Sequence, residues 1–96
     1  MADLKSSAEL MAATQTNLID FLRADLATCE TFAAIAEKEL GSDRQHAVQA
    51  FNKAVRGCQV IAQFVMKVQD PTPQLEIEQN LALLESRLAI LEAAFD

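Results

Sequence analysis

His46 is the only histidine of the chain, and a metal or proton-transfer site would have to be built around it. Metal sites in helical bundles usually combine Glu-x-x-His pairs contributed by several helices. Asp43 stands three residues before His46 in the one comparable spacing of this sequence, and no second histidine exists to complete such a site. The sequence therefore predicts neither a metal ion nor any other cofactor.

The same histidine raises the question of phosphoryl transfer. Histidine phosphotransfer domains are also small, acidic and helical, and their phosphorylated histidine lies mid-helix in a pattern similar to H-x-L-K-G. Here His46 is followed by A-V-Q-A, without the Lys and Gly of that pattern, and it falls in the first turn of its predicted helix. We favour a solvated histidine and keep a phosphotransfer intermediate that uses His46 as an alternative function.

Two cysteines, Cys29 and Cys58, fall at apolar positions of two different predicted helices. If these helices fold back on each other at Gly41, Cys29 faces the neighbourhood of Ala54 rather than Cys58. The offset corresponds to about 6 Å of helix rise, which makes a disulfide bridge awkward. We therefore predict two buried free thiols that behave as small hydrophobic side chains.

Other catalytic arrangements have no foundation in the sequence. Thiolate formation is disfavoured within an apolar stripe, no serine has a convincing base nearby, and no glycine-rich phosphate loop exists. Four glutamates, Glu76, Glu78, Glu85 and Glu92, fit polar positions of the last predicted helix, which is typical of a solvated face. The sequence predicts that the protein is not an enzyme.

Three segments position these side chains, and in each of them apolar residues recur every three or four positions. This period predicts helices over about residues 6–40, 43–69 and 73–95. Short connections place consecutive helices antiparallel to each other. The sequence thus predicts an all-α fold, an antiparallel three-helix bundle that forms a single helical domain over residues 1–96.

Turn-forming residues separate the three helices. Gly41 suits the left-handed position just past the first helix, and Ser42 with Gln45 makes a capping box for the second. At the next connection Thr72 can cap the third helix, with Pro73 in its first turn.

The first helix is much longer than its partners. Ser6 with Glu9 makes a capping box that opens it. Residues 14–17 are weak helix formers, so that a bend near Thr16 is an alternative to one continuous helix.

The charge of the chain bears on its partners and location. Fourteen acidic and eight basic side chains give a net charge of −6 at pH 7, which disfavours nucleic acid and anionic membrane surfaces. No apolar stretch reaches the roughly 18 to 20 residues that span a bilayer, and residues 1–5 have no signal-peptide pattern. We predict a cytoplasmic protein that binds neither nucleic acid nor membrane.

The first hairpin carries a family resemblance. Gly41, followed by Ala47, Phe51 and Ala54, resembles the turn and second helix of a tetratricopeptide-type repeat, and Ala34 matches the small residue of its first helix. The turn holds one extra residue, and no closing proline follows. The match covers about residues 30–57, a single unit, whereas arrays need about three.

The three-helix layout is also similar to that of the microtubule-interacting-and-transport domain. Both families bind peptides or partner proteins in helical grooves. The resemblance implies protein binding and nothing more specific, since a fold alone does not set a function.

Leu83 and Ile90 lie well away from the apolar seam of the last helix, seven residues apart. They are either covered by the long first helix or exposed as an interface, since exposed apolar patches usually mark binding sites. With Phe64, they are the predicted partner-binding residues. We predict a helical protein–protein interaction or adaptor module that binds a protein partner or itself as a symmetric homodimer. A small export or assembly chaperone is a further alternative.

Overall fold

The computed structural model describes the backbone of residues 7–95 and the side chains of residues 13–95. Three helices make up this range: α1 (Ser7–Glu39), α2 (Arg44–Val65) and α3 (Pro71–Phe95). No strand occurs among the described residues, and each helix packs against both others. The predicted all-α three-helix bundle is confirmed.

Contacts along the helices give the order up, down, up. α1 and α2 run antiparallel, because the early part of α1 meets the end of α2 and the end of α1 meets the start of α2. α3 runs parallel to α1. Gln15 of α1 contacts Lys67 just after α2, and Glu39 of α1 contacts His46 of α2. The other contacts are Arg23–Glu76 and Glu37–Arg87 between α1 and α3, and Phe51–Phe95 between α2 and α3.

The core lies between the predicted apolar stripes of the three helices. No polar or charged residue is buried among the described side chains. Alanines dominate the contact between α1 and α2, which lets these two helices approach closely. The buried residues are Leu22, Leu26, Cys29, Ala33, Ala36, Ala47, Ala50, Ala54, Cys58, Ile61, Val65, Val68, Ile77, Leu81, Leu84, Leu88 and Leu91.

α1 is one continuous helix that is not interrupted near Thr16. Gln15 lies within the run of weak helix formers, and its side chain bonds across to the connection between α2 and α3. Its Nε2 donates to the carbonyl of Lys67 at 3.1 Å, and its Oε1 accepts from the backbone N–H of Gln69 at 2.8 Å. These tertiary contacts stabilise the helical conformation of residues 14–17, whose low helix propensity does not by itself determine whether they form a helix. The predicted capping box of Ser6 and Glu9 lies outside the described side chains.

The turn between α1 and α2 differs from the prediction in two respects. Asp43, not Ser42, caps α2, and its carboxylate accepts from the backbone N–H of His46 at 3.1 Å. Gly41 is not left-handed, since no described glycine has a positive φ. The N–H groups of Ser42 and Asp43 both donate to the carbonyl of Glu39, so the chain keeps a right-handed course after α1.

The connection between α2 and α3 also has its own caps. Asp70, not Thr72, caps α3: its carboxylate accepts from the N–H of Thr72 at 3.1 Å, and Pro71 takes the first helical position. α2 ends at Val65, four residues before the predicted end, and the side chain of Gln74 donates to its carbonyl at 3.2 Å. No helix within the described range has the length and apolar character needed to cross a membrane.

Candidate functional site

α3 carries large apolar side chains on two opposite sides. One side supplies five buried residues to the core. On the other side Leu83 is 70% exposed and Ile90 is 75% exposed, and Leu75 is 55% exposed near the start of the helix. The described part of α1 therefore does not cover the two residues that the sequence singled out. Their burial would need a further molecule or segment.

The exposed side of α3 contains no charged residue over most of its length. We call this surface the outer face. Its members follow the helical period, lie between the start and the end of α3, and are all solvent-exposed. They are Leu75, Gln79, Ala82, Leu83, Ser86, Ala89, Ile90, Ala93 and Ala94.

A line of glutamates borders the outer face on the side of α2. Glu78, Glu85 and Glu92 recur every seven residues and are all exposed, so they form one row along the helix. We call them the acidic row. Among the described residues, no basic side chain forms an ion pair with any of the three. Their negative charge therefore faces solvent and is not neutralised by an ion pair.

On the opposite border of the outer face, the charged side chains of α3 form ion pairs with side chains of α1. Glu76 forms an ion pair with Arg23 at 2.7 Å. Arg87 binds Glu37 with two hydrogen bonds of 2.6 and 2.8 Å, which is the bidentate geometry typical of arginine and carboxylate. These hydrogen bonds lower the pKa of Glu37 and raise the pKa of Arg87. The two borders of the outer face thus differ in charge.

An open groove of about 230 Å³ between α2 and α3 adjoins the acidic row. Apolar atoms of both helices form its floor, and Glu85 and Glu92 stand at its rim. Ala89 belongs to both the groove and the outer face, so the two surfaces are continuous. The groove is lined by Phe51, Val55, Cys58, Gln59, Glu85, Leu88, Ala89 and Glu92.

Phe64, the third predicted partner-binding residue, has a different environment. It lies on α2, partly buried against the core, and the ammonium group of Lys67 is 4.9 Å from its ring centroid. It is therefore not part of the outer face of α3. A role for Phe64 in partner binding stays a prediction.

His46 has a partner that the sequence analysis missed. Its Nδ1 lies 2.9 Å from Oε2 of Glu39, the last residue of α1, across the turn. With Asp43, the ligand atoms of these residues lie within 4.8 Å of one another. Such a group can attract a divalent cation, but each contact already stabilises the turn: Asp43 caps α2 and Glu39 joins the two helices. His46 lies in the first turn of α2 with about half of its side chain exposed, as predicted.

Cys29 and Cys58 are free and buried, as predicted, but they are neighbours. Each thiol influences the pKa of the other, and the sulfur of Cys29 fills the space above Gly57. Cys29 therefore meets Gly57 and Cys58, and not the neighbourhood of Ala54 that the sequence predicted. Side chains on a helix lean toward its N-terminus, so Cys29 leans away from the turn while Cys58 leans toward it, and the two converge.

Burial sets the chemistry of both thiols. It raises the pKa of Cys58 to about 12, and it raises the pKa of Cys29 as well, helped by the negative charge of Asp25. Both groups are therefore protonated at neutral pH. A protonated, buried thiol is a poor nucleophile.

Comparisons with known proteins add no family to these observations. No protein-family model, no curated protein and no solved structure matches the chain. The resemblance of residues 30–57 to a tetratricopeptide-type repeat, and that of the whole layout to the microtubule-interacting-and-transport domain, stay predictions.

Proposed function

We propose that the chain is a non-enzymatic interaction module that binds a partner protein through the outer face of α3. The observation that carries the proposal is the exposure of Leu83 and Ile90, at 70% and 75%, on a helix side without charge. Isolated exposed apolar side chains are ordinary, but a contiguous apolar surface usually marks an interface.

The outer face can supply part of the energy of a specific contact. Full burial of one Leu or Ile side chain is worth about 1.5–3 kcal/mol. A partner that covers both Leu83 and Ile90 therefore gains a few kcal/mol from these two residues, and the alanines beside them allow a helix to approach closely. Such central apolar contacts dominate the energy of many interfaces.

The state of the reactive side chains supports a non-enzymatic role. The buried thiols have raised pKa values, and His46 is engaged by Glu39 at the end of a helix. Free, buried thiols also fit a reducing compartment, which supports a cytoplasmic location. Binding through an exposed helix face requires no titrating group.

The test is affinity capture from the native cells, followed by mass spectrometry. The bait is the full chain as wild type, as L83D/I90D and as M66D. Met66 is 77% exposed but lies outside α3, so M66D is a control for the addition of a negative charge at another exposed apolar residue. We expect the wild type and M66D to retain the same partner and L83D/I90D to lose it.

Two results would reject the proposal. One is a partner that L83D/I90D retains as well as the wild type does. The other is the absence of any captured protein together with a strictly monomeric chain in sedimentation. A wild-type dimer that L83D/I90D dissociates would instead identify a second copy as the occupant of the outer face.

A further inference from the structure

We infer that the partner of the outer face is a cationic amphipathic helix. Its apolar side chains cover Leu83 and Ile90, and its Lys or Arg side chains lie over the groove and reach Glu85 and Glu92. This inference rests on the proposed function and adds the chemical class of the partner. It follows from the unequal charges of the two borders of α3.

The acidic row is the first observation. Glu78, Glu85 and Glu92 form no ion pair with a described basic side chain, whereas the charges of the other border are paired with α1. A helix that docks on the outer face places one of its edges against this row. Basic residues on that edge gain favourable interactions, and acidic residues there are repelled.

The groove is the second observation, because it provides open space beside the acidic row. Lys and Arg have long apolar stems that bury well while the charged end stays at a polar rim. Phe51, Val55 and Leu88 give the groove an apolar floor, and Glu85 and Glu92 stand at its edge. The stem of a basic residue can thus pack in the groove while its charged end meets a carboxylate.

A second copy of this chain is a poor occupant by the same reasoning. In a symmetric antiparallel pair of helices, each border faces the same border of the other copy, so the acidic row would face itself. In a parallel pair the row would face the border where Arg87 is already bound by Glu37 and Glu76 is already paired with Arg23. Neither arrangement neutralises the row.

The length of the row sets the length of the partner helix. From Glu78 to Glu92 α3 rises about 21 Å, or about four turns. A partner helix of about 15 residues with a basic residue every seven positions can therefore engage the whole row. A shorter helix reaches only two of the three glutamates.

The test uses two synthetic helical peptides of about 20 residues. Both have leucines along one face, and they differ only in the residues along one edge of that face, which are lysines in one peptide and glutamates in the other. Binding to the full-length protein is measured by titration calorimetry. We expect the lysine peptide to bind about tenfold or more tightly than the glutamate peptide, and its affinity to fall with added salt.

Charge reversal on the protein makes the test specific. We expect E85K/E92K to reverse the preference between the two peptides. D20K/E30K is the matched control, because it changes the net charge equally on exposed residues of α1, and it leaves the order of the peptides unchanged. We expect L83D/I90D to bind both peptides more weakly than the wild type does.

The outcomes separate this inference from the proposed function. If both peptides bind equally and L83D/I90D abolishes both, the outer face binds helices but its charge does not select them, and the inference is wrong. Failure of the lysine peptide to bind, while a native partner is still captured through Leu83 and Ile90, also overturns the inference alone. If the peptides bind L83D/I90D as tightly as the wild type, both the inference and the proposed function are contradicted.

Discussion

Gly41 and Gly57 are the only glycines of the chain, and their surroundings differ in a way that stability measurements can detect. A methyl group at Gly57 would overlap the buried sulfur of Cys29, whereas a methyl group at Gly41 meets no atom. For G57A we expect a net loss of about 1–2 kcal/mol in unfolding free energy, because overpacking outweighs the better helix propensity of alanine. For G41A we expect a gain of about 0.4–1 kcal/mol, since its φ is not positive.

Urea denaturation checks both glycine variants, and Cys29 provides the control. In a C29A background the sulfur is gone, so that G57A should become neutral or stabilising. If G57A destabilises the protein equally with and without Cys29, the explanation of Gly57 by this contact is wrong.

Because both thiols are buried, we expect them to be alkylated slowly in the folded protein. Burial raises the pKa of Cys58 to about 12, so at pH 8 both thiols react with iodoacetamide only when the structure opens. We expect alkylation at least about 100-fold slower in the folded protein than in urea, measured by mass spectrometry. Equal rates in the two states would contradict the account.

The raised pKa of Cys58 makes the stability of the folded protein depend on pH. The folded state favours the protonated thiol, so its contribution is complete below the ordinary cysteine pKa of about 8.5. It is lost as the pH rises from there toward the pKa of about 12 in the folded protein. C58A should therefore reduce the alkaline part of the stability loss.

At the scale of the helices, the caps are the features that single substitutions test best. Asp43 accepts the N–H of His46, while no hydrogen bond involves the hydroxyl of Ser42 in the described structure. We expect D43A to lower the unfolding free energy by about 1 kcal/mol and S42A to change it by less than about 0.5 kcal/mol. Thermal unfolding of both variants measures the difference, and the reverse order would restore Ser42 as the cap.

The three helices could be predicted from the sequence because burial repeats with the helical period. Ile77, Leu81 and Leu84 mark the inner side of α3 in the sequence and are buried in the structure. The helix ends were less accessible. Asp43 and Ser42 are both good capping residues, and only the path of the turn decides between them.

Contacts across helices were the part that the sequence left open. The pairing of His46 with Glu39 joins residues on either side of a turn, and the meeting of Cys29 with Cys58 depends on how side chains lean. The position of Leu83 and Ile90 off the core was visible in the helical period. Their exposure was not, because it depends on where α1 lies.

At the scale of the whole molecule, α3 has an inner side that holds the bundle together and an outer face that the bundle does not need. L83D/I90D should therefore fold normally, with an unfolding free energy within about 1 kcal/mol of wild type, since both side chains are largely exposed. L84A is the contrasting variant. Leu84 is buried, and we expect a loss of about 2–5 kcal/mol.

Circular dichroism during thermal unfolding compares these two variants. A large destabilisation by L83D/I90D would mean that the outer face is covered within the monomer. The same experiment shows whether loss of binding in this variant reflects the surface and not the fold.

The most direct test of a binding outer face is a residue-by-residue map. In nuclear magnetic resonance of the ¹⁵N-labelled protein titrated with the lysine peptide, we predict saturable shifts along α3 from Glu78 to Ala94 and at the groove residues Val55 and Gln59. The amide resonances of the α1 segment 24–31 should not shift. Shifts centred on α1, or shifts that L83D/I90D leaves unchanged, would contradict the account.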